Sequence, residues 1–500
     1  MQYDIILVFG AEYFDHPLCG VAIIKRLLEK NGYSVGVIEM PLCEKEILSL
    51  GKPKLFFGVS SGSIDSMVRN YTPLKKLRAE DKHQKRAVRF PPDRAVTVYS
   101  NWIKKRFKDS KIILGGTEGS LRRFVHYDYW ENRLRKPILF DTRADILVYG
   151  SGEKPILEIA KRIKNGEELK AIEGTCIISR ELPDGFEVLP SAEEVISSKS
   201  KFCDMQLQLS IKKNLAQKID TRYCLQYKSP KYTSRDLDEY YELSFTRAVP
   251  KELRGFEFSV VTHRGCIGKC NFCSLTLLQG DRVVSRSEES IIREVKRITN
   301  LIHFKGNIDD LGGPSANMYG LDCDKCADGI CLKCSSLDRS NKRMISLLKK
   351  TRAVLGVKNV YIRSGIRFDL TNEEYIKEVA LHHIFDTLRI APEHVNKHVL
   401  QLMNKDISGL KEFRRLFYKY SKNKELSYYY VSAHPGSGEK EANELKEIIK
   451  EDKNPEAVQI FTPTPMTIST CMYYTGLDPK TKKKIYVPYT YREKKIQKNL

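Results

Sequence analysis

The sequence predicts an α/β protein, a doubly wound, Rossmann-like domain followed by a partial barrel of β/α units. Two observations carry this. Short, continuous apolar runs alternate with amphipathic stretches up to about residue 165, and the same alternation resumes from about 254 to 460. Apolar strands separated by helices form parallel sheets covered on both faces. Five hundred residues at 41% hydrophobic composition suffice for two or three such cores. The expected division is 1–165 for the first domain, 166–250 for a connector, 251–460 for the barrel and 461–500 for an extension.

In order along the first domain, YDIILVFG (3–10) reads as a strand and GVAIIKRLLEKNG (20–32) as a helix stopped by glycine. SVGVIEM (34–40) and LFFGVS (55–60) are strands, and DRAVTVYSNWIKKRF (93–107) is a helix. KIILGGTEG (111–119) and ADILVYGSGE (144–153) are strands running into glycines, followed by the helix KPILEIAKRIKNG (154–166). Sheets of this kind bind ligands beyond the carboxyl ends of their strands. The segment 166–250 is polar, with no clean period, and reads as a connector. In the second run, FEFSVVTH (256–263), NVYIRSG (359–365), TLRIAPE (387–393), SYYYVSAHPG (427–436) and AVQIFTPTP (457–465) are strands. SEESIIREVKRITNL, EEYIKEVALHH and GEKEANELKEIIKED are the helices between or after them.

No apolar run approaches the roughly 20 residues of a membrane span. The N-terminus MQYDIILVFG lacks a basic region and a small-residue cleavage site, so no signal peptide and a cytoplasmic location are expected. In a reducing compartment, clustered cysteines point to metal or catalysis rather than disulfides. Six of the 13 cysteines (Cys19, Cys43, Cys176, Cys203, Cys224 and Cys471) stand alone and receive no role. The net charge of +22 suggests an anionic partner, with RNA one open substrate class. A composition rich in both Lys and Glu, as in proteins of hot environments, explains the charge equally well.

HRGCIGKCNFC (263–273) sets Cys266, Cys270 and Cys273 on the loop after the first barrel strand. Four thiolates would close a zinc or iron–sulfur site, whereas three leave one corner open. Zinc with His263 as fourth ligand is the metal alternative. LDCDKCADGICLKC places Cys323, Cys326, Cys331 and Cys334 as C-x2-C-x4-C-x2-C, a set that suits either structural zinc or an auxiliary iron–sulfur cluster. In the first domain, GVSSGSIDSMVRNYT (58–72) and GGTEGSLRRFVHYDYW (115–130) crowd Asp65, Glu118, Arg122, Arg123 and His126 at strand ends, where a substrate pocket is expected.

C-x3-C-x2-C with Phe272 before its last cysteine resembles the signature of the radical S-adenosylmethionine enzymes. The resemblance implies a [4Fe–4S] cluster on Cys266, Cys270 and Cys273, whose open iron binds S-adenosylmethionine and cleaves it reductively to a 5′-deoxyadenosyl radical. It implies an electron donor such as ferredoxin or flavodoxin. It also assigns S-adenosylmethionine contacts to Phe272, Gly312 and Gly313 of IDDLGGPSAN, Arg363, Ser364 and Arg367 of IRSGIRFDL, and Gly436 of SAHPGSGEKE. Pro314 stands where many relatives have a glutamate. Together with DHPLCG, SGSIDSMVRNYT, GGTEGSLRRFVHYDYW and FTPTPMTISTCMYYTGLDP, these motifs resemble the YgiQ family, whose barrel type is that of the tRNA methylthiotransferases and whose substrate is unsettled. Domains that ligate cobalamin through histidine carry D-x-H-x-x-G, whereas here Asp15 and His16 are adjacent, so cobalamin is not expected. An iron–sulfur protein that senses redox state without turning over S-adenosylmethionine is the alternative function.

Overall fold

In the computed structural model, residues 2–78, 90–326, 331–451 and 455–498 are described. The chain forms two compact units. The first is Met1–Lys231 with Thr462–Ile485, and the second is Tyr232–Phe461 with Tyr486–Leu500.

The first unit is built on a nine-stranded sheet. Its strands run in the order Val35–Glu39, Ile5–Phe9, Phe56–Ser60, Lys111–Leu114, Ile146–Val148, Thr175–Ser179, Arg222–Gln226, Leu215–Ile219, Glu187–Leu189. The first five are parallel, with Ile5 opposite Val35 on one side and Phe56 on the other. Numbered along the chain they lie 2-1-3-4-5, so the order reverses between Ile5–Phe9 and Phe56–Ser60, which is where doubly wound sheets hold ligands. Every residue of IILVF is buried, as a strand covered on both faces requires. The covering helix Gly20–Lys30 buries Ala22, Ile23, Leu27 and Leu28, one stripe at helical spacing. The helix Glu153–Asn165 ends at Gly166, whose φ of 72° is the left-handed conformation that glycine adopts without strain.

The sheet corrects the expected connector. Thr175–Ser179, Glu187–Leu189, Leu215–Ile219 and Arg222–Gln226, with the helices Ala192–Ser197 and Lys199–Gln208, extend the first unit to Lys231. Their period was obscured because polar side chains point into this part of the sheet. Gln217 accepts from Val125 N at 2.9 Å and donates to the Pro190 carbonyl at 3.0 Å. The expected extension also divides, since Thr462–Ile485 returns to the first unit with the helix Ile468–Thr475, while Tyr486–Leu500 stays with the second.

The second unit is a run of parallel strands. Ser259–Val261 pairs with Asp310–Gly312, and Asn307–Ile308 with Asn359–Val360. A bridge from Ile366 to Ile390 leads on to the sheet Thr387–Glu393, Glu425–Ser432, Pro455–Ile460. The helices Glu288–Thr299, Lys342–Arg352, Glu373–His382 and Leu410–Tyr420 pack outside it, burying Ile291, Leu347, Val379 and Phe417 against Val260, Ile308 and Leu388. This is the partial barrel the sequence predicts. Among the described residues no helix is long and apolar enough to cross a membrane.

Candidate active site

The three clustered cysteines lie on a loop fixed from both ends. Gly265 has φ 85°, and a Cβ there would land on the Arg282 carbonyl, so no other residue fits. Cys266 N donates to Gly280 O at 3.1 Å, and Cys273 N to Cys270 O at 3.1 Å. The far side is held by the end of the helix Lys397–Met403. Asn271 donates through its backbone N to Met403 O (2.9 Å) and through Nδ2 to Leu402 O (2.8 Å), while Asn404 Nδ2 donates to Lys269 O (2.8 Å).

Arg367 covers this loop. Its Nη1 is 3.8 Å from Cys270 Sγ, and a Cβ on Gly268 would lie 2.6 Å from the same nitrogen, so the guanidinium rests against bare backbone. Asp369 holds the guanidinium at 3.0 and 2.6 Å, and the buried Asn317 clasps the Arg367 backbone at 2.9 and 2.7 Å. Burial pushes the Cys273 thiol up to about 12, and the neighbouring Cys270 and Cys266 add to this. Burial likewise raises Cys266, with Arg367 opposing. In the bare loop these two groups are thiols, and they become thiolates only against a strong positive centre.

That is a donor set suited to iron. Among the described residues no three His, Cys, Asp or Glu side chains are drawn together at the spacing of a single ion. The corners of an iron–sulfide cube stand farther apart than that, and three half-buried thiols on one anchored loop fit such a body.

The other residues named from the sequence fall into two sets. Phe272 meets His434 edge-on at 6.5 Å, and His434 meets Phe461 at 5.1 Å. A Cβ on Gly313 would lie 2.5 Å from the His263 ring, and one on Gly312 would strike the Ser364 hydroxyl, so a side chain at either position would displace a neighbour. Gly436, with φ 92°, is pressed onto Leu402 of the helix that anchors the cysteine loop. Arg363 does not reach the cysteines. Its Nη1 donates to Gly255 O (2.7 Å), ahead of the first strand of this unit, and its backbone N and that of Ser364 donate to Asp310 (2.7 and 3.1 Å).

One residue escaped the sequence reading. Glu393, at the end of its strand with φ 70°, lies 3.9 Å from Lys405, and burial raises its carboxyl to about 7 against the pull of Lys405 and Arg367. A strained, half-desolvated carboxyl beside the loop has the marks of a functional position.

The second cysteine group adjoins the first. Cys266 and Cys331 pack on one apolar cluster of Ile267, Val283, Met318, Leu321 and Leu370. Arg282, whose carbonyl faces Gly265, donates through its guanidinium to the Cys326 carbonyl. Burial raises the Cys331 thiol, with Cys326 and Cys323 adding to it. Residues 327–330 between the two knuckles lie outside the described residues.

In the first unit the expected pocket residues are buried, and their polar groups engage one another. Asp65 caps the helix Ser66–Asn70, accepting from Met67 N at 2.9 Å, and pairs with Arg122. Glu118 accepts from Ser66 N (3.0 Å), Ser66 Oγ (2.6 Å) and Val96 N (3.1 Å). Arg123 donates to Gln226 Oε1 (2.7 Å) and Ser120 O (2.6 Å) and lies over the Tyr149 ring at 4.8 Å. Burial, then the Arg122 cation, lowers His126 to about 3. These five side chains are 5% exposed or less, so they brace the carboxyl edge of the sheet instead of lining an open wall. Asp15 pairs with Arg26 at 2.9 Å, and the buried His16 accepts from Leu18 N at 3.0 Å.

A family model described as Radical SAM N-terminal matches residues 1–258, and one described as a domain of unknown function matches 456–500. A UPF0313 protein of Methanocaldococcus jannaschii is 43% identical over 99% of this chain and 89% of its own length. One of Fusobacterium nucleatum is 42% identical over 99% and 95%. Among solved structures, the radical S-adenosylmethionine methyltransferase TsrM of Kitasatospora setae, with cobalamin and a [4Fe–4S] cluster bound, shares the fold at TM-score 0.56 and 13% identity, over 95% of this chain and 76% of that one. The cobalamin-dependent radical enzyme OxsB, with aqua-cobalamin, does so at TM-score 0.52 and 11% identity, over 94% and 55%. The match bears out the doubly wound domain followed by the barrel. It also overturns the expectation against cobalamin. That expectation rested on the spacing of one histidine motif, yet cobalamin is bound in solved structures whose fold this chain shares almost throughout.

Proposed function

Because the chain belongs to the UPF0313 family of radical S-adenosylmethionine proteins, it is a radical S-adenosylmethionine enzyme with its reaction unassigned, and we propose that Cys266, Cys270 and Cys273 carry its chemistry. They would ligate three irons of a [4Fe–4S] cluster and leave the fourth for S-adenosylmethionine. When bound and given one electron by an outside donor, the pair would supply, with release of methionine, a 5′-deoxyadenosyl radical able to take hydrogen from an unactivated carbon. The observation that carries this reading is the loop itself, three half-buried thiols on a glycine-fixed turn beneath the Arg367 cation.

The chain's own residues have definite tasks in it. Arg367, pinned by Asp369, holds positive charge beside the Cys270 sulfur. Gly312 and Gly313 keep a strand end bare, so that backbone can approach a ligand closely. Phe272 and His434 wall the other side with rings. Cys323, Cys326, Cys331 and Cys334 would hold a second centre, zinc or an auxiliary cluster, beside the first. A reducing cytoplasm and a small electron-carrier protein suit these requirements.

The first unit would take a flat cofactor such as a corrinoid at its switch point. In support, Gly62, Gly116 and Gly150 follow three of the sheet's parallel strands at positive φ, so each of those strands ends in a turn without a side chain. His16 is turned into its own loop, so such a cofactor would be held without it.

Anaerobic reconstitution with iron and sulfide, reduction with dithionite and assay for 5′-deoxyadenosine test the main reading. Deoxyadenosine lost in Cys270→Ala is expected. Its absence from protein with a full, reducible cluster would favour redox sensing instead. Iron, zinc and sulfide counts in Cys326→Ala identify the second centre. Desalting after incubation with hydroxocobalamin, followed by visible absorbance, tests the first unit.

A further inference from the structure

Two cysteines to which their spacing assigns no role meet inside the first unit. Cys203 lies on the helix Lys199–Gln208 and Cys471 on the helix Ile468–Thr475, and their sulfurs are 3.7 Å apart. Both are buried. Thr475 Oγ1 lies 3.7 Å from Cys203 Sγ and donates to the Cys471 carbonyl at 2.8 Å, tying the pair into one hydrogen-bonded group. Lys482 pairs with Asp204 at 2.7 Å, which brings an ammonium beside the Cys203 helix. The two residues are 268 positions apart, and the chain between them includes the whole of Tyr232–Phe461.

We propose that Cys203 and Cys471 form a reversible disulfide, made by exchange with a low-molecular-weight disulfide, which locks the returning segment Thr462–Ile485 onto the first unit. A bonded pair needs about 2.05 Å, so the two facing helices close the remaining gap by a small shift and side-chain rotation. The Cys203 thiolate attacks one sulfur of the small disulfide, that S–S bond breaks, and one small thiolate leaves. Cys471 then loses its proton, attacks the Cys203 sulfur and expels the second small thiolate. Two protein thiols are oxidised to one disulfide, one small disulfide is reduced to two thiols, and the two protons end on those thiols.

The order of attack follows from the surroundings. The hydrogen bond donated by Cys471 lowers the Cys203 thiol, and the Lys482 cation acts in the same direction. Burial raises Cys471. The thiol nearer its anion attacks first. The segment that would be locked is not peripheral. The Met466 carbonyl accepts from Gln206, the Met466 sulfur lies 3.5 Å from Arg123 Nη1, and Tyr473 packs edge-on against Tyr129 at 5.6 Å. Locking it would therefore fix the surroundings of Arg123 and stiffen the unit in oxidising conditions.

The test treats the full-length protein with excess oxidised glutathione, quenches with iodoacetamide in denaturant and maps the peptides without reduction. A joined peptide containing Cys203 and Cys471 is expected from most of the protein, with the free-thiol count lower by two at this pair and restored by dithiothreitol. Cys471→Ser should leave Cys203 carrying one glutathione, whereas Cys203→Ser should leave Cys471 free. Finding both thiols alkylated in the wild-type protein, or Cys203 stopped at the mixed disulfide, would overturn the proposal. The wild-type map decides this even if a variant folds poorly.

Discussion

Gly265 has no side chain, yet it sets where three cysteines stand. Its φ of 85° and the Arg282 carbonyl against it leave no space for a methyl group. Gly265→Ala must therefore move one of the two segments, at a cost of about 3 kcal/mol or more locally. The expected outcome is at least a halving of the iron retained after reconstitution, with the first unit's unfolding unchanged. Asp65 makes a second case at this scale. It is buried against Arg122, so Asp65→Asn leaves a desolvated cation, and a loss of about 3–5 kcal/mol in urea unfolding is expected. The cysteines of the loop were legible because their meaning lies in local spacing. Glu393 and the Cys203–Cys471 pair were not: Glu393 is notable for its backbone conformation and burial, and the two cysteines for a neighbour supplied from a distant part of the chain.

Elements position what residues cannot. The helix Lys397–Met403 starts under Asn396, whose side chain accepts from His398 N (2.9 Å) and Val399 N (3.2 Å), and its far end presents carbonyls to Asn271. Carbonyls at a helix C-terminus lack partners within the helix, so they are free to hold a loop. Asn271→Leu removes the side-chain bond to Leu402 O while leaving the helix intact. The expected result is a cluster lost faster to a chelator, with circular dichroism unchanged; equal loss rates would show that the backbone bond to Met403 suffices. The parallel strands of both units were legible from their apolar runs. The strands between Thr175 and Gln226 were not, since buried Gln217 and Gln226 interrupt the alternation, and their hydrogen bonds to Pro190 O and Ser210 O (2.7 Å) appear only once the chain is folded.

At the scale of the whole molecule, buried histidines make the two units unequal in acid. Burial lowers His263 to about 4, His394 to about 4 and His434 to about 3, all in the second unit. The first unit buries His16 and His126, of which His126 is lowered to about 3. An unfolded histidine binds its proton near pH 6.5, and the folded ones here do not until far lower. Between those values the unfolded chain holds more protons, so stability falls as pH falls. Each such histidine contributes about 1.4 kcal/mol per pH unit, so the second unit should lose about 4 kcal/mol per unit below pH 6 from these groups alone. Both tryptophans, Trp102 and Trp130, are in the first unit. Tryptophan fluorescence therefore follows that unit, while far-ultraviolet circular dichroism follows both. In urea titrations of the metal-free protein, the two signals should coincide more closely at pH 7 and separate as pH falls from 6.5 to about 5.5, with the dichroism midpoint dropping first. His434→Gln should reduce the slope of stability against pH by one proton's worth, whatever it does to stability at pH 7. Transitions that keep the same separation at every pH would mean that these imidazoles take up protons in the folded state, and that the second unit admits water where its rings are packed.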